Sequence, residues 1–298
     1  MIRAVGLGVA RRRAAGRPAI ALEAVDLAVE RGNLVLVLGR SGAGKTTLLE
    51  ALGGILEVEA GTIEFSVDGE RQQWGAGRAA PAAARERMGF LFQYPERQIV
   101  GCTPWEDVGW AGRRGGPAGD EVRRALERVE LPEALWHAPI GRLSRGEKRR
   151  VALASVLVRS PAALLLDEPF VGLDPRGQAL LWREVADYRV QRGTPALIAT
   201  HWSAPFLPLA DQVVCLVEGR VSFSGTAAAF SERARNDPGL KDLLPQAERL
   251  RAALERPRTA PPGGPRWAEA ARQWIARVHG RGLGEDTSAG WTSSTKRW

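Results

Sequence analysis

Residues 39–46 read Gly39-Arg40-Ser41-Gly42-Ala43-Gly44-Lys45-Thr46 and fit the pattern G-x-x-x-x-G-K-[ST]. An apolar, β-branched run over 34–38 precedes them, and a helix-forming run over 47–52 follows. A strand, a glycine-rich turn and a helix in this order are typical of a phosphate-binding loop. Glycines carry no Cβ, so successive backbone N–H groups can turn towards an anion, and the helix N-terminus adds its positive dipole end.

The residues that follow the glycines supply the charged and metal-binding groups that a nucleoside triphosphate needs. We expect Lys45 to reach the β- and γ-phosphates and the Thr46 hydroxyl to bind Mg²⁺. The predicted ATP contacts of this loop are Gly39, Arg40, Ser41, Gly42, Ala43, Gly44, Lys45, Thr46 and Thr47. The simpler alternative is a glycine-rich turn with a surface lysine, and the motifs further along the chain weigh against it.

The composition of the chain limits which kinds of partner it is expected to bind. Among 298 residues, 42 Lys and Arg against 34 Asp and Glu give a formal net charge of +8. Such an excess would suit nucleic acid or an anionic membrane. The basic residues are nearly all Arg in a chain also rich in Ala and Gly, however, and the coding composition of the source explains that bias equally well. Cys102 and Cys215 have no metal-type spacing, so neither zinc nor a disulfide is predicted.

Neither a signal peptide nor a membrane span is predicted. Residues 1–10 are weakly apolar but precede Arg11, Arg12 and Arg13, the reverse of the order in a secretory signal. No apolar run approaches the ~20 residues that cross a bilayer. We therefore expect a cytoplasmic protein that reaches a membrane only through a partner.

The remaining pattern predicts an α/β domain with a mostly parallel sheet covered by helices. Strands are predicted within 19–29 (antiparallel), at 34–38, as a pair over 61–65 and 66–67 that closes near 68–69, and at 88–92, 164–167, 196–200, 213–217 and 221–223. Residues 70–86 predict an exposed loop and a short helix. Helices are predicted over 120–131 and 147–159, inside a helical insertion of about 94–161, and over 178–191.

After about residue 230, where the nucleotide-binding domain (1–230) is expected to end, the pattern changes. A C-terminal helical extension is predicted over 231–257 and a linker rich in Pro and Gly over 258–265. Residues 266–298 predict an amphipathic helix, with Trp267 and Trp274 on one face, and a disordered tail. That helix is a candidate contact for a partner, and packing on its own domain is the equally good alternative.

Two acids end an apolar run at Leu164-Leu165-Leu166-Asp167-Glu168. A carboxylate at the carboxyl end of a strand lies beside the phosphate loop, so Asp167 is predicted to bind Mg²⁺ directly or through water. Glu168 is then predicted to point to the γ-phosphate and polarise an attacking water. The alternative, a pair of helix N-cap residues before Pro169, is weakened by the strand and the phosphate loop that precede it.

The chain resembles the nucleotide-binding subunits of ATP-binding-cassette (ABC) transporters over about its first 230 residues. The similar segments are Phe92-Gln93 (Q-loop), Leu143-Ser144-Arg145-Gly146-Glu147 (the LSGGQ signature), Gly172-Leu173-Asp174-Pro175 (D-loop) and Thr200-His201 (H-loop). Both their order and their spacing match. The resemblance implies an α/β P-loop NTPase of ABC type, with a mostly parallel sheet, an antiparallel β subdomain and a helical insertion.

The resemblance also implies roles for the site residues. Gln93 would contact Mg²⁺ or the attacking water, and His201 would hold the γ-phosphate and steady the water of Glu168. The predicted catalytic residues are therefore Glu168, His201 and Gln93, and the predicted metal ligands are Thr46, Gln93 and Asp167.

In the family, two subunits enclose two ATP molecules between them, close on ATP and open after hydrolysis. Ser144 and Gly146, at the start of the predicted 147–159 helix, would face the ATP of the opposite subunit, and Asp174 would contact nucleotide through the D-loop. The implied ligands are ATP and Mg²⁺.

Residues 92–108 are most similar to the FQ-x-PE-x-Q…T-x-x-x-DV segment of energy-coupling-factor ATPases, which power vitamin and transition-metal uptake. Lys148-Arg149-Arg150 after the signature is similar too. This resemblance implies a second ABC ATPase, a transmembrane coupling subunit and a substrate-binding membrane subunit, at the cytoplasmic face of the cell membrane. A coupling helix would enter a groove near Gln93 and Pro95. Alternatively, the aromatic residues of this segment belong to the core of the helical subdomain.

Two positions depart from the family pattern. No Phe, Tyr or Trp occurs before Phe65, whereas an aromatic residue usually stacks on adenine, so Arg11, Arg12 or Arg13 are candidates to replace it. Arg145 stands where the signature usually has glycine, and it adds bulk and charge beside the γ-phosphate of the partner's ATP. Because the chain's own catalytic motifs are intact, this asymmetry favours a heterodimer, although a homodimer stays open.

Two other functions compete with an importer ATPase. Soluble ABC ATPases that act on nucleic acid or ribosomes usually carry two cassettes or a long coiled coil, and neither is present. A small-molecule kinase with the same phosphate loop would have no reason for the signature and the H-loop. We therefore expect no nucleic-acid partner.

Overall fold

The computed structural model describes residues 1–12, 18–111, 118–201 and 206–244. The strands in this part of the chain are β1 (Ile2–Arg12), β2 (Pro18–Val29), β3 (Leu34–Leu38), β4 (Ala60–Val67), β5 (Glu70–Gly75), β6 (Met88–Leu91), β7 (Ala163–Asp167), β8 (Ala196–Thr200), β9 (Gln212–Val217) and β10 (Arg220–Gly225). The α-helices are α1 (Lys45–Leu52), α2 (Ala82–Arg87), α3 (Pro104–Gly109), α4 (Gly119–Arg128), α5 (Arg145–Leu157), α6 (Pro175–Arg192) and α7 (Ala227–Asn236).

The strands form two sheets. Four of them make an antiparallel sheet in the order β2-β1-β4-β5, and six make a sheet in the order β10-β9-β3-β8-β7-β6. In the larger sheet all neighbours pair in parallel except β9 and β10, which form a hairpin. The predicted fold class is therefore confirmed.

The alternation of side chains along β3 separates two hydrophobic cores. Every residue of β3 is buried, as expected for a parallel strand covered on both faces. Leu34, Leu36 and Leu38 pack into the core shared with α4, α5 and α6, while Val35 and Val37 pack into the core shared with the antiparallel sheet. The phosphate loop thus leaves a strand that is fixed from both sides.

Two strands differ from the sequence expectation. The pattern does not predict β1, because its buried residues Ile2, Ala4, Leu7 and Val9 do not alternate regularly: the pairing register shifts between Ala4 and Leu7 and again before Val9. The exposed loop predicted over 70–75 is wrong, since these residues form the edge strand β5. Only the end of β5 is buried, and its polar composition hides it. Residues 66–67 accordingly belong to β4, which pairs with β5 across the turn at 68–69.

Helix boundaries also differ, for local reasons. Helix α5 begins at Arg145 rather than at 147, because Ser144 is its N-cap, and α6 begins at Pro175 rather than at 178, because Asp174 is its N-cap. Helix α4 ends at Arg128, before the predicted residue 131. Glu130, in the turn that follows, adopts a φ of 52°. No helix among the described residues is long and apolar enough to cross a membrane.

Some of the predictions concern residues outside the described ranges. They are Arg13 and the side chains of Arg11 and Arg12, the linker over 258–265, the amphipathic helix and tail over 266–298, and the extension beyond residue 244. The described part of the predicted extension includes the end of α7 and a single 3₁₀ turn at Lys241–Leu243.

Candidate nucleotide-binding and hydrolysis site

The topology gathers the predicted site residues at one edge of the larger sheet. Strands β3, β8, β7 and β6 are adjacent and parallel, so their carboxyl ends lie side by side. A cavity of about 430 Å³ opens at this edge. It is lined by Arg40, Ser41, Gly42, Lys45, Thr46, Gln93, Asp167, Glu168, His201, Asp242 and Leu243. All but the last two of these residues are predicted from the sequence.

The phosphate loop depends on glycine at Gly44. This residue has a φ of 103°, and a Cβ placed there would lie 2.6 Å from the carbonyl oxygen of Ala21. Gly39, Ala43 and Gly44 form the loop behind the lining residues, and Thr47 is buried in the first turn of α1. This conformation of the loop therefore requires glycine at position 44.

Lys45 is buried and is held by its own loop. Its Nζ donates hydrogen bonds to the carbonyl oxygens of Gly39 (2.8 Å) and Arg40 (3.2 Å), and it lies 4.0 Å from Glu168 Oε1. Burial lowers the pKa of Lys45, while the negative charges of Glu168 and Asp167 act in the opposite direction. A phosphate group in the cavity would add negative charge and favour the ammonium form.

Asp167 has the features expected of a metal ligand. It is 2% exposed, and its Oδ2 accepts a hydrogen bond of 2.7 Å from Thr46 Oγ1. Its Oδ1 is buried and has no hydrogen-bond partner among the described residues. Burial raises the pKa of Asp167, ahead of any other cause. A buried carboxylate oxygen without a partner is costly, and a cation at this point would remove the cost. With the Thr46 hydroxyl hydrogen-bonded to Asp167 and Gln93 lining the same cavity, this set of oxygen donors fits Mg²⁺.

Glu168 is held by three hydrogen bonds at the end of β7. Its Oε2 accepts from Thr200 Oγ1 (2.9 Å), and its Oε1 accepts from the backbone N–H of His201 (3.0 Å). His201 Nδ1 lies 2.8 Å from the same Oε1, so an ionised Glu168 fixes the imidazole with its proton on Nδ1. The backbone of Glu168 has a φ of 44°, a conformation that non-glycine residues rarely adopt. The carboxylate is therefore oriented before any substrate binds.

The signature and D-loop residues lie apart from this cavity. Ser144 Oγ accepts from the N–H of Glu147 (3.3 Å), and Glu147 Oε2 accepts from the N–H of Ser144 (2.7 Å), which completes a capping box at the start of α5. Hydrogen bonds from Ser144 lower the pKa of Glu147. Asp174 Oδ1 accepts from the N–H of Gly177 (2.8 Å). None of Ser144, Gly146 and Asp174 lines the cavity described above.

Sequence reasoning missed the C-terminal side of the cavity. The guanidinium of Arg40 forms an ion pair of 2.5 Å with Asp242, and Leu243 lines the cavity next to it. Leu240, Leu243 and Leu244 are buried and hold this segment against the domain. The two members of the ion pair are 202 residues apart, and no local pattern could have indicated the contact.

Comparisons with known proteins agree with the fold and the predicted family. The ABC transporter family matches residues 22–171. The EcfA1 energy-coupling factor transporter ATP-binding protein of Symbiobacterium thermophilum is 37% identical over 254 residues, 80% of this chain and 84% of the relative. The EcfA protein of Methanosphaera stadtmanae is 35% identical over 211 residues, 69% of this chain and 73% of the relative.

Solved structures give the same result. The structure of cbiO1 from Clostridium perfringens, described as part of the ABC transporter complex cbiONQ, is 30% identical with a TM-score of 0.61, over 79% of this chain and 93% of that one. The fold is also shared with a dimeric ATP-binding cassette in a post-hydrolysis state, bound to ADP and Pi. That structure is 22% identical with a TM-score of 0.67, and the match covers 76% of this chain and 99% of that one. The predicted family is confirmed. The comparisons also support the function of an importer ATPase over that of an ATPase acting on nucleic acid. The chain belongs to the ABC transporter family, among the energy-coupling factor transporter ATP-binding proteins, and it hydrolyses ATP to drive transport.

Proposed function

We propose that this chain is the peripheral ATPase of a vitamin or transition-metal importer, at the cytoplasmic face of the cell membrane, and that Glu168 is its catalytic base. The observation that carries the assignment of the base is the carboxylate of Glu168, which is fixed by Thr200 and His201 within 4.0 Å of the Lys45 ammonium. The experiment that tests it is Glu168→Gln, argued in the Discussion.

The proposed mechanism divides the work among the cavity residues. Backbone N–H groups of the loop and Lys45 bind the phosphates. Thr46, Asp167 and Gln93 would hold Mg²⁺, which would neutralise charge on the phosphates when bound. Glu168 accepts a proton from the attacking water through one carboxylate oxygen. His201, with its proton on Nδ1, keeps that carboxylate in place and leaves Nε2 for substrate or water.

A second ABC ATPase is proposed to complete each site. In this arrangement Ser144, Gly146 and Asp174 contact the ATP of the opposite subunit, which accounts for their distance from the cavity described above. The N-terminus of α5 supplies free backbone N–H groups for that nucleotide. We expect the second ATPase to be a different chain, because Arg145 alters only the site that this chain's signature completes.

The expected effect of Arg145→Gly follows from the packing of this side chain. Arg145 Cδ would lie 3.3 Å from a Cβ placed on Gly172 of the D-loop, so its stem fills space between the signature and the D-loop. Arg145→Gly removes this bulk and charge from the site that the signature completes. In the complex with the second ATPase, we therefore expect the variant to raise the ATPase rate about threefold, which corresponds to a barrier lower by about 0.7 kcal/mol. Steady-state phosphate release measures this, with Arg142→Gly, another exposed arginine, as the control. An unchanged rate would refute the proposed asymmetry.

The membrane partner is proposed to dock in a second concavity. A groove of about 470 Å³ is lined by apolar side chains and a few polar ones. The lining includes Ile55, Phe90, Phe92, Gln98, Val100, Asp107 and Trp110. Val100 is 68% and Trp110 74% exposed, which is unusual for side chains of this size. Pro95 is buried and does not contribute to the lining. An apolar face of a coupling helix fits such a groove.

Val100→Glu is expected to reduce co-purification of membrane subunits from detergent extracts about tenfold or more, since a charge would be buried in the contact. The control is Val190→Glu, the same substitution at an 85% exposed valine on α6, which should retain the partners. Binding of Mg·ATP by the isolated chain should not change in either variant. Equal recovery of membrane subunits with both variants, or capture of nucleic acid that salt releases, would contradict the proposal.

A further inference from the structure

Arg149 is a buried arginine that the mechanism above does not use. It lies on α5, two residues after the signature, and is 3% exposed. Its Nη1 donates a hydrogen bond of 2.8 Å to the carbonyl oxygen of Glu168, and its Nη2 donates to the carbonyl oxygen of Gln93. One guanidinium therefore bridges the backbones of two predicted catalytic residues that follow different strands.

This arrangement is costly for a purely structural contact. Both acceptors are neutral carbonyl groups, and the Nε of Arg149 is buried without a hydrogen-bond partner in the described part of the chain. Burying a guanidinium with incomplete pairing opposes folding. The planar fork of arginine nevertheless holds the two carbonyl groups through two separate nitrogens at a fixed separation, whereas a lysine ammonium, as at Lys45, can bridge two carbonyl groups only from a single nitrogen.

The helix that carries Arg149 makes further contacts with the Q-loop region. Gln98 Nε2 donates to the carbonyl oxygen of Ala152 (3.1 Å), and Ser155 Oγ donates to Asp107 Oδ2 (2.6 Å). Gln98 and Asp107 also line the apolar groove proposed for the membrane partner. Helix α5 therefore connects the signature at its N-terminus with Glu168, Gln93 and the groove.

The conformation of Glu168 makes the carbonyl contact important. Its φ of 44° must be maintained by its surroundings, because the left-handed region costs a non-glycine residue energy. The hydrogen bond from Arg149 holds the carbonyl group of this same residue. A movement of α5 would consequently turn the peptide that orients the Glu168 carboxylate.

We propose that Arg149 is a positioning residue that fixes Glu168 relative to Gln93 and transmits movement of the signature helix to both. The inference rests on the proposed role of Glu168 as the base. The proposal predicts that the guanidinium of Arg149 is needed for the chemical step. Binding of the phosphates should not need this guanidinium, because it depends on the phosphate loop and Lys45.

The test compares Arg149→Lys and Arg149→Gln with Arg150→Lys in the full chain, assembled with the subunits that co-purify with it. Arg150 is the matched control, because it is the next residue of the same helix and its Nη1 also donates to a backbone carbonyl group, that of Glu130 (3.1 Å). For both Arg149 variants we expect kcat to fall about tenfold or more, since small displacements of catalytic groups are costly. The KM for ATP should stay within about twofold, and Arg150→Lys should keep both constants near the parent values.

Three results would overturn the proposal. The first is a kcat of both Arg149 variants within about twofold of Arg150→Lys, and the second is a loss that appears only as a higher KM. The third is failure of both variants to fold, judged from melting curves, because Arg149 would then be a structural residue only. If Glu168→Gln itself retained hydrolysis, the assignment of the base would fail instead, which is a different outcome from retained activity in Arg149→Lys alone.

Discussion

Replacing Glu168 with glutamine is expected to slow ATP hydrolysis by about 10²- to 10⁴-fold, the range typical of losing a general base. Glutamine has the same size: its Oε1 can still accept the hydrogen bonds that His201 donates to Glu168 Oε1, while its Nε2, in the place of Oε2, would donate to Thr200 Oγ1 instead of accepting from it. The amide cannot accept the proton of the attacking water. Binding of Mg·ATP should therefore be retained, and a closed, ATP-bound dimer should accumulate because opening follows hydrolysis.

The measurement separates binding from chemistry. Single-turnover phosphate release gives the rate of hydrolysis, and retention of labelled ATP on the dimer gives binding. Glu130→Gln is a suitable control, because Glu130 also has a positive φ (52°) but lies at the end of α4 and pairs with Arg176 (2.8 Å). Hydrolysis by Glu168→Gln within about threefold of the parent rate would show that another group accepts the proton, and the proposed mechanism would be wrong.

The parts of this molecule that could be predicted from the sequence are those with local causes. The phosphate loop follows from glycines that face an anion, and the parallel strands follow from short apolar runs such as 34–38, which are buried on both faces. The strand ends then place Asp167 and Glu168 beside Lys45 by topology alone. The order of these motifs was sufficient to predict the family and the activity.

The parts that could not be predicted depend on contacts between distant segments. Edge strand β5 is polar because one side of it has no neighbour, so it has no strand periodicity to detect. The Arg40–Asp242 ion pair joins residues that are 202 positions apart in the sequence. The bridge from Arg149 to two backbone carbonyl groups leaves no trace in the sequence, since carbonyl groups are common to all residues. Tertiary packing, rather than local propensity, determines these features.

Replacing Asp167 with asparagine is expected to have opposite effects on the empty and the ligand-bound protein. Asp167 is buried with an unpartnered Oδ1 among the described residues, and burial raises its pKa above the ordinary 3.8. A carboxyl group whose pKa is raised on folding binds protons more readily in the folded state, so its ionisation destabilises the fold as pH rises above the ordinary pKa. The nucleotide-free variant should thus be more stable than the parent near pH 7, by about 1 kcal/mol, because the amide removes the buried charge but still leaves a polar atom without a partner at this position. This advantage should shrink as the pH falls through the raised pKa of the folded protein, and it should be lost below the ordinary value of 3.8, where the carboxyl group is protonated in both the folded and the unfolded state.

Saturating Mg·ATP should reverse this order. A ligand that binds only the folded state stabilises it by RT ln(1 + [L]/Kd), about 2.7 kcal/mol at 100 times Kd, and the variant should bind Mg²⁺ too weakly to gain this. Melting curves with and without Mg·ATP measure both effects, and about 2–4 °C is expected for each kcal/mol in a domain of this size. Asp187→Asn, at a 40% exposed carboxylate, is the control and should follow the parent under both conditions.

Two outcomes would contradict this prediction. If Asp167→Asn gained as much stability from Mg·ATP as the parent, Asp167 would not be a metal ligand. If Asp167→Asn were less stable than the parent without nucleotide, the buried carboxylate would not carry the cost assigned to it. Only a carboxylate kept in place for a cation should destabilise the empty site and stabilise the filled one.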